Sequence, residues 1–186
     1  LQEYYENHPN DMFINYAKQY SDMPFVIMLD EDENGYKAGR FLRASDLGMS
    51  GENNEWKPVI QDKLSQQLLV PNGTMGQRWE EGKKWNLKLE TEDGTPIDPM
   101  LSMAESDYHV ETIQFPYFDS SGDGIFERPI ATRTIQLANG EKVKIATVYD
   151  LMTSQYGVQR FEHELEATSY DDASSKYTPA WQEQIT

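Results

Sequence analysis

The chain has 186 residues, with 32 Asp and Glu against 16 Lys and Arg, so its formal net charge at pH 7 is −16. A charge of this sign repels the phosphate backbone of nucleic acids, and no local cluster of basic residues offsets it, so we expect no nucleic-acid binding. The absence of cysteine excludes disulfides, thiolate metal sites and a cysteine nucleophile within these residues. No run of about 20 apolar residues is present, so we expect a soluble chain without direct membrane insertion.

The N-terminal part of the sequence predicts a helix followed by a hairpin. In DMFINYAKQY, Phe13, Ile14, Ala17 and Tyr20 recur at helical spacing, and Asp11 suits the positive end of a helix. The run FVIML predicts a strand, the acidic stretch DEDENG a turn, and YKAGRFL a second strand. A short helical turn is expected at RASDL, before a polar loop.

Short apolar or alternating runs separated by turn dipeptides fill the middle of the chain and predict β structure. Trp85, Leu87 and Leu89 alternate on one face of WNLKLET, and HVETIQF alternates less regularly. The strongest hairpin signal is TRTIQLANGEKVKIATV, because Asn139-Gly140 is the favoured chemistry for a two-residue turn between strands.

Helical spacing returns near the C-terminal end. In TVYDLMTSQYGV, Thr147 is the expected N-cap and Gly157 the expected stop signal. Thr178 and Pro179 predict the start of another helix in TPAWQEQIT. Because that helix has little room to extend and the first residue is not Met, we expect the sequence to be an internal fragment of a longer protein.

The stretch FPYFDSSGDGIFERP contains the beginning of a calcium-loop pattern. Asp119, Ser121, Asp123 and Gly124 match the first, third, fifth and sixth positions of such a loop. The last position, which requires a bidentate Glu, is occupied by Ile130. We therefore predict a polar turn between two strands rather than a calcium site.

Other candidate chemistry is also incomplete. In HELE, His163 and Glu164 begin a zinc motif whose second histidine is replaced by Ala167, and His8 and His109 have no ligand-like neighbours. Adjacent acids could supply the carboxylate pair of an acidic hydrolase, although such runs usually lie on solvated loops. The acids in question are Asp30, Glu31, Asp32, Glu33, Glu80, Glu81, Asp171 and Asp172.

Three tryptophans are close together in sequence. Trp56, Trp79 and Trp85 could form a stacking platform with Arg78, although aromatic residues at strand spacing are more often part of a core, which is what we expect. The sequence has no phosphate-binding loop and no nucleophile elbow. We predict that the chain contains no catalytic, cofactor-binding or metal-binding residue of its own.

Eight stretches of the sequence carry a resemblance to a known family. They are FINYAKQYSDMPFVIMLDE, GYKAGRFLRASDL, NNEWKPV, LVPNGTMGQRWEEGKKWNL, FPYF, TVYDLMTSQYGVQR, ATSYDD and YTPAWQEQIT. In this order they resemble the alpha (catalytic) subunit of membrane-bound respiratory nitrate reductase, a molybdopterin oxidoreductase. Residues 91–112 and 119–135 match less well and look like variable loops.

The expected fold is α+β, with a β-rich centre of antiparallel hairpins flanked by short helices. The resemblance implies that this centre is an insertion in the body of a larger molybdopterin enzyme. Residues 1–24 would form the edge of the molybdopterin-binding body, and residues 25–165 would form the insertion, with a helix near 147–156. Residues 166–186 would return to the body.

The resemblance also implies a function for the parent protein. It would reduce nitrate to nitrite at molybdenum in anaerobic respiration and nitrate assimilation. Electron transport would run from quinol through a membrane gamma subunit and an iron–sulfur beta subunit, at the cytoplasmic side of the cell membrane. Its cofactors would be molybdenum bis(molybdopterin guanine dinucleotide) and a 4Fe-4S cluster, whose binding motifs are absent from this sequence.

For the fragment itself the resemblance therefore implies no activity and no bound cofactor. We expect a structural or subunit-contact insertion that meets the remainder of the alpha subunit and the partner subunits. The alternative is a stand-alone acidic binding module related to the same subunit.

Overall fold

The computed structural model describes residues 11–116, 125–156, 180, 183 and 184. These residues form an α+β fold, which confirms the predicted class. Its helices are α1 (Asp11–Tyr20) and α2 (Val148–Tyr156), and short 3-10 helices span Asn54–Trp56, Met75–Trp79 and Met103–Glu105. The strands are β1 (Val26–Asp32), β2 (Gly35–Phe41), β3 (Ile60–Gln61), β4 (Leu68–Leu69), β5 (His109–Pro116), β6 (Ile125–Gln136) and β7 (Lys142–Thr147).

Five strands close into a barrel in the order β1, β2, β5, β6 and β7, with β7 returning to β1. The hairpins β1–β2, β5–β6 and β6–β7 are antiparallel, as predicted. Strands β2 and β5 pair in parallel, because the long connection between them carries the chain back to the same end of the barrel. Strands β3 and β4 form a separate two-stranded sheet in that connection.

Strand β1 lies at the centre of the core and is buried on both faces. Val26 and Met28 pack in one apolar cluster, while Ile27 and Leu29 pack in a second cluster on the opposite face. This double burial explains why the strand is a continuous apolar run instead of an alternating one. A third cluster joins β3 to the residues before β1 and contains Phe25, Ile60 and Ile97.

The first hairpin turn is shorter than predicted. Strand β1 continues through the acidic residues to Asp32, which pairs with Gly35, so only Glu33 and Asn34 connect the strands. The acids fit the strand because their side chains are exposed at the end that extends beyond the core. The backbone N–H of Asn34 donates to Asp32 Oδ1 at 2.9 Å, a side-chain hydrogen bond typical of turns.

The hairpin at Asn139-Gly140 exists, but its turn is not the predicted two-residue type. The N–H of Leu137 donates to the carbonyl of Glu141 at 2.8 Å, enclosing a loop of three residues. Of the turn residues only Gly140 has a positive φ, at 87°. A two-residue turn of the favoured type needs two such residues, whereas a three-residue loop ending in a left-handed glycine needs one.

The predicted strand WNLKLET has irregular structure. It forms a single bridge, between Glu90 and Pro96, and its Leu87 and Leu89 pack against the third cluster. RASDL forms the predicted short helical turn, as successive N–H groups donate to the carbonyl three residues earlier, beginning with Asp46 to Arg43.

Both main helices have the bounds that the sequence predicts. Helix α1 spans the whole of DMFINYAKQY. At the start of α2, Thr147 Oγ1 accepts from the N–H of Asp150 at 3.0 Å, which confirms the predicted N-cap. Gly157 lies outside the described residues, as does most of TPAWQEQIT, in which the described residues Ala180, Glu183 and Gln184 are helical, as predicted. No helix in the described part of the chain is long and apolar enough to cross a membrane.

Acid should weaken the contact between Asp62, which directly follows β3, and the segment that contains Asp98. Asp62 is buried, and it accepts hydrogen bonds from the Ser65 hydroxyl at 2.6 Å and from the Asp98 N–H at 2.7 Å. Burial opposes ionisation of Asp62, but these bonds outweigh it and hold its pKa below the ordinary value of 3.8. The stabilisation is therefore present above pH 3.8 and is lost as the pH falls through the lower folded-state pKa.

We expect Asp62→Asn to be less stable than the original chain at neutral pH and to lose less stability on acidification from about pH 5 to 2.5. Urea unfolding at a series of pH values measures both quantities. Parallel pH profiles for the two proteins would contradict this role of Asp62.

Candidate interaction surface

The described residues contain no group of three or more His, Cys, Asp or Glu side chains that could hold a metal ion. His109 is exposed at the start of β5, whereas His8 and His163 lie outside the described part of the chain. The calcium-like residues from Asp119 to Gly124 also lie outside it. The described residues thus show no donor set that could hold a metal by itself, and a chain without cysteine lacks the usual ligands of an iron–sulfur cluster.

The acidic runs do not assemble a catalytic pair within the described residues. Asp30, Glu31 and Asp32 are exposed at the end of β1, and Asp171 and Asp172 are not among the residues described. The N–H of Asn34 and the Lys37 ammonium, 3.0 Å away, lower the pKa of Asp32.

A general acid needs a raised pKa. The described carboxylates with a displaced pKa are all displaced downwards, and they are Asp32, Asp46, Asp62, Glu92, Asp93 and Glu105. The described residues therefore give no support to an acidic hydrolase.

The tryptophans predicted to belong to the core are instead exposed. Trp56 and Trp79 keep 47% and 55% of their surface accessible, and Trp85 is also exposed. The rings of Trp56 and Trp79 lie against each other, with centroids 5.8 Å apart and planes inclined at 56°. For Trp56 and Trp79 the structure therefore agrees better with the stacking interpretation than with a position in the core. We call these two residues the tryptophan pair.

A buried ion pair lies next to the tryptophan pair in the chain. Lys57 follows Trp56, Glu80 follows Trp79, and Lys57 Nζ lies 2.5 Å from Glu80 Oε1 with both side chains largely shielded from water. The ion pair therefore joins the two 3-10 helices that end in the tryptophans. Removing either partner would leave an uncompensated buried charge, which is strongly unfavourable.

Close backbone packing fixes the same two helices. A Cβ atom at Gly76 would lie 2.5 Å from Lys57 Cγ and 2.9 Å from the carbonyl oxygen of Asn53, so only glycine fits between them. The start of the second helix is held by Gln77, whose Oε1 accepts from the N–H of Thr74 at 2.9 Å. The tryptophan pair is therefore exposed on a rigid base, which suits a contact surface.

Sequence reasoning missed the ion pair, although a signal for it was present. Each member of the tryptophan pair is followed by a charged residue, Lys57 in NEWK and Glu80 in RWEE, and the two charges are opposite. The separation in sequence hid the contact, because nothing local showed that the two segments meet. Arg78, the predicted cation of the platform, is exposed beside Trp79 in the chain.

A buried carboxylate joins α2 to the segment before β5. Asp150 accepts from the Ser102 hydroxyl at 2.5 Å and from the N–H of Met103 at 2.8 Å. The Thr147 hydroxyl lies 2.9 Å from the same carboxylate and 2.6 Å from the carbonyl of Leu101. Asp150 combines the cap of α2 with the start of the 3-10 helix Met103–Glu105. The carboxylate thereby satisfies the Ser102 hydroxyl and the Met103 N–H in the interior, so it has a structural role.

The fold and its exposed tryptophan pair define a β-rich α+β segment with a candidate protein-contact surface. No protein-family model matches the chain. The whole chain is, however, similar to nitrate reductase alpha chains, with 43% identity over 187 residues to that of Bacillus subtilis. It is 38% identical over 200 residues to the respiratory nitrate reductase 1 alpha chain of Escherichia coli, and 36% identical over 194 residues to the nitrate reductase alpha subunit of Mycobacterium tuberculosis.

These similarities place the chain in the nitrate reductase alpha-chain family, as one segment of such a chain, and confirm the predicted resemblance. The chain spans only 15% or 16% of the length of these relatives. Most of a family member therefore lies outside the 186 residues.

Proposed function

We propose that the chain is a structural and subunit-contact segment of a nitrate reductase alpha chain that reduces nitrate to nitrite. The parent would carry molybdenum bis(molybdopterin guanine dinucleotide) and a 4Fe-4S cluster, held by residues outside this chain. Electrons from quinol would reach it through a membrane gamma subunit and an iron–sulfur beta subunit at the cytoplasmic side of the membrane, in anaerobic respiration.

The proposed segment boundaries follow the resemblance. Residues 25–165 are the insertion, and residues 1–24 and 166–186 belong to the molybdopterin-binding body on either side. The closed barrel supports this division, because its strands begin at Val26 and the helix that follows its last strand, α2, spans Val148–Tyr156. An insertion with its own core can be accommodated without disturbing the body that carries it.

The observation that carries the contact role is the exposed tryptophan pair on its buried ion pair. Tryptophan is enriched among the residues that dominate binding energy at protein interfaces. A rigid base lowers the entropy lost on association, because the rings are already held in place. We propose that the pair contacts a partner subunit of the parent enzyme, with the iron–sulfur beta subunit as the first candidate.

The closed barrel also favours a second candidate function, a stand-alone acidic binding module. A barrel with its own apolar clusters has the core that an independent domain needs. The two candidates differ in what they bind, since the module would need a ligand site of its own and the insertion would need only its parent.

The double change Trp56→Ser and Trp79→Ser tests the contact role in the full-length alpha chain. We expect it to reduce recovery of the beta subunit in an affinity purification of the alpha chain by about tenfold or more, the loss typical of truncated interface aromatic residues. Leu64→Ser is the matched control, because Leu64 is also an exposed apolar side chain, at 69%, and lies in a different part of the chain.

Recovery of the beta subunit within a factor of about two of the original enzyme would contradict the contact role. Thermal unfolding of the isolated 186-residue chain separates this result from misfolding, since substitutions of exposed residues should leave its stability nearly unchanged. A broader test deletes residues 25–165 from the alpha chain. Unchanged cofactor content, subunit recovery and nitrate reduction would together exclude the structural role as well.

A further inference from the structure

Helix α1 is attached to the connection between β2 and β5. Ala17 and Lys18 are buried, and Lys18 forms an ion pair with Asp98 in the segment before β5. The side-chain amide of Gln19 donates to the carbonyl of Leu87 at 3.2 Å. Lys18 lies nearly opposite Tyr16 on the helix, so the buried side with Ala17 and Lys18 leaves the opposite side uncovered, and Gln19 lies at the edge of that uncovered side.

That opposite face is apolar and aromatic. Met12, Tyr16 and Tyr20 are four residues apart, and they are 76%, 59% and 65% exposed. The rings of Tyr16 and Tyr20 lie 5.5 Å apart, so the three side chains form a continuous ridge along the helix. With a rise of 1.5 Å per residue the ridge is about 12 Å long, and the apolar stripe of a surface helix normally faces a partner.

The ridge continues into an apolar groove. Tyr20, its last member, also lines a cavity of about 370 Å³ together with Phe25, Met75 and Trp85. Two of the twelve lining residues carry a charge, Asp22 and Arg43, and these charges are opposite. Although the chain has a net charge of −16, the charges in this lining cancel, so the groove has no net charge to attract a cationic partner or repel an anionic one.

We propose that the α1 ridge and this groove hold an apolar α-helix from the part of the nitrate reductase alpha chain outside these 186 residues. This proposal rests on the proposed function. It adds which part of the parent protein covers the α1 ridge and the groove. The relatives extend over more than six times the matched length, so a covalently linked partner is present at high effective concentration. Helices pack through ridges of residues spaced by four, which is the spacing of Met12, Tyr16 and Tyr20.

A small neutral ligand does not explain the whole surface. The groove alone has a volume in the range of ligand pockets. A molecule confined to it would still leave Met12 and Tyr16 exposed, because these two residues do not line the groove. A helix is long enough to cover the ridge and fill the groove together.

Photo-crosslinking in the assembled enzyme tests the proposal. Tyr16 of the full-length alpha chain is replaced by p-benzoylphenylalanine, and crosslinked peptides are identified by mass spectrometry. The expected crosslink joins position 16 to an apolar segment of the same alpha chain outside the 186 residues. Asn15, an exposed neighbour off the ridge, is the matched control position and should give at most a small fraction of that yield.

Crosslinks from position 16 only to residues 1–10 or 157–186, to another subunit, or to nothing would each overturn the proposal. A second measurement compares Tyr16→Ser in two contexts. We expect a lower thermal unfolding temperature in the full-length alpha chain and no shift in the isolated 186-residue chain, and equal shifts in the two would also overturn it.

The experiments distinguish a failure of the proposed function from a failure of this inference. If the tryptophan variants lose the beta subunit while position 16 gives no crosslink, the subunit contact stands and only the docked helix is wrong. If position 16 crosslinks as expected while the tryptophan variants retain the beta subunit, the docked helix stands and the subunit contact is wrong.

Discussion

Replacing Asp150 by alanine is expected to lower the free energy of unfolding of the 186-residue chain by about 3 kcal/mol or more, because each buried polar group left without a partner costs about 1–3 kcal/mol. The substitution removes the acceptor for the Ser102 hydroxyl and the Met103 N–H, whereas the Thr147 hydroxyl keeps the Leu101 carbonyl as an acceptor at 2.6 Å. Both groups left without an acceptor are in the interior, where water cannot replace the carboxylate without entering the core. Urea unfolding monitored by circular dichroism measures the difference.

Asp150→Asn is the matched control for this prediction. Asparagine has nearly the same shape and keeps one acceptor oxygen, so it should retain part of the lost stability. The expected order of stability is aspartate, then asparagine, then alanine. An alanine variant within about 0.5 kcal/mol of the original chain, the range of ordinary surface substitutions, would show that the cluster around Asp150 is not structural.

Gly73→Ala is expected to be nearly as damaging for a different reason. Gly73 has a φ of +81°, and a Cβ atom there would lie 1.9 Å from the carbonyl oxygen of Asn86 and 2.4 Å from its carbonyl carbon. The left-handed conformation costs an alanine about 1–2 kcal/mol, and the overlap with backbone adds at least a similar amount. Relief of the overlap would break the hydrogen bond from the Asn86 N–H to the Gly73 carbonyl.

Gly94→Ala measures the cost of the left-handed backbone conformation without any steric overlap of the added Cβ atom. Gly94 has nearly the same φ, +84°, but its added Cβ atom would meet no atom within 4 Å. We therefore expect Gly94→Ala to cost about 1–2 kcal/mol, and Gly73→Ala to be clearly more destabilising in the same urea titration. Equal losses in the two variants would contradict the close approach of residues 73 and 86.

Elements with a local signal were predictable from the sequence. The helix of DMFINYAKQY and the cap at Thr147 depend on side-chain spacing and on hydrogen bonds within a few residues. The hairpin at Asn139-Gly140 was also found, because a left-handed glycine between alternating runs is a local feature. The turn type was missed, since it depends on how strand pairing continues to Leu137 and Glu141.

Features that depend on distant contacts were not predictable. Closure of the barrel and the parallel pairing of β2 with β5 join residues far apart in sequence, and no periodicity encodes them. Strand β1 shows the same limit, because its acidic end looked like a turn until its pairing with β2 was known.

The tryptophan pair shows why the candidate surface was misjudged. Large aromatic side chains are buried more often than exposed, so a core position was the natural expectation for Trp56 and Trp79. The opposite charges of Lys57 and Glu80 next to them acquire meaning only when the two segments meet. The contact that brings the two exposed rings together is therefore not visible in the sequence.

The most direct measurement is the length of the native polypeptide that carries this sequence and the activity associated with it. An antibody raised against the 186-residue chain would be used to blot fractions of nitrate-grown source cells and to deplete their extract. We predict a band from a polypeptide several times longer than 186 residues, and loss of nitrate reduction from the depleted extract. A band at the length of the chain alone, with nitrate reduction unaffected, would contradict its role as one segment of a nitrate reductase alpha chain.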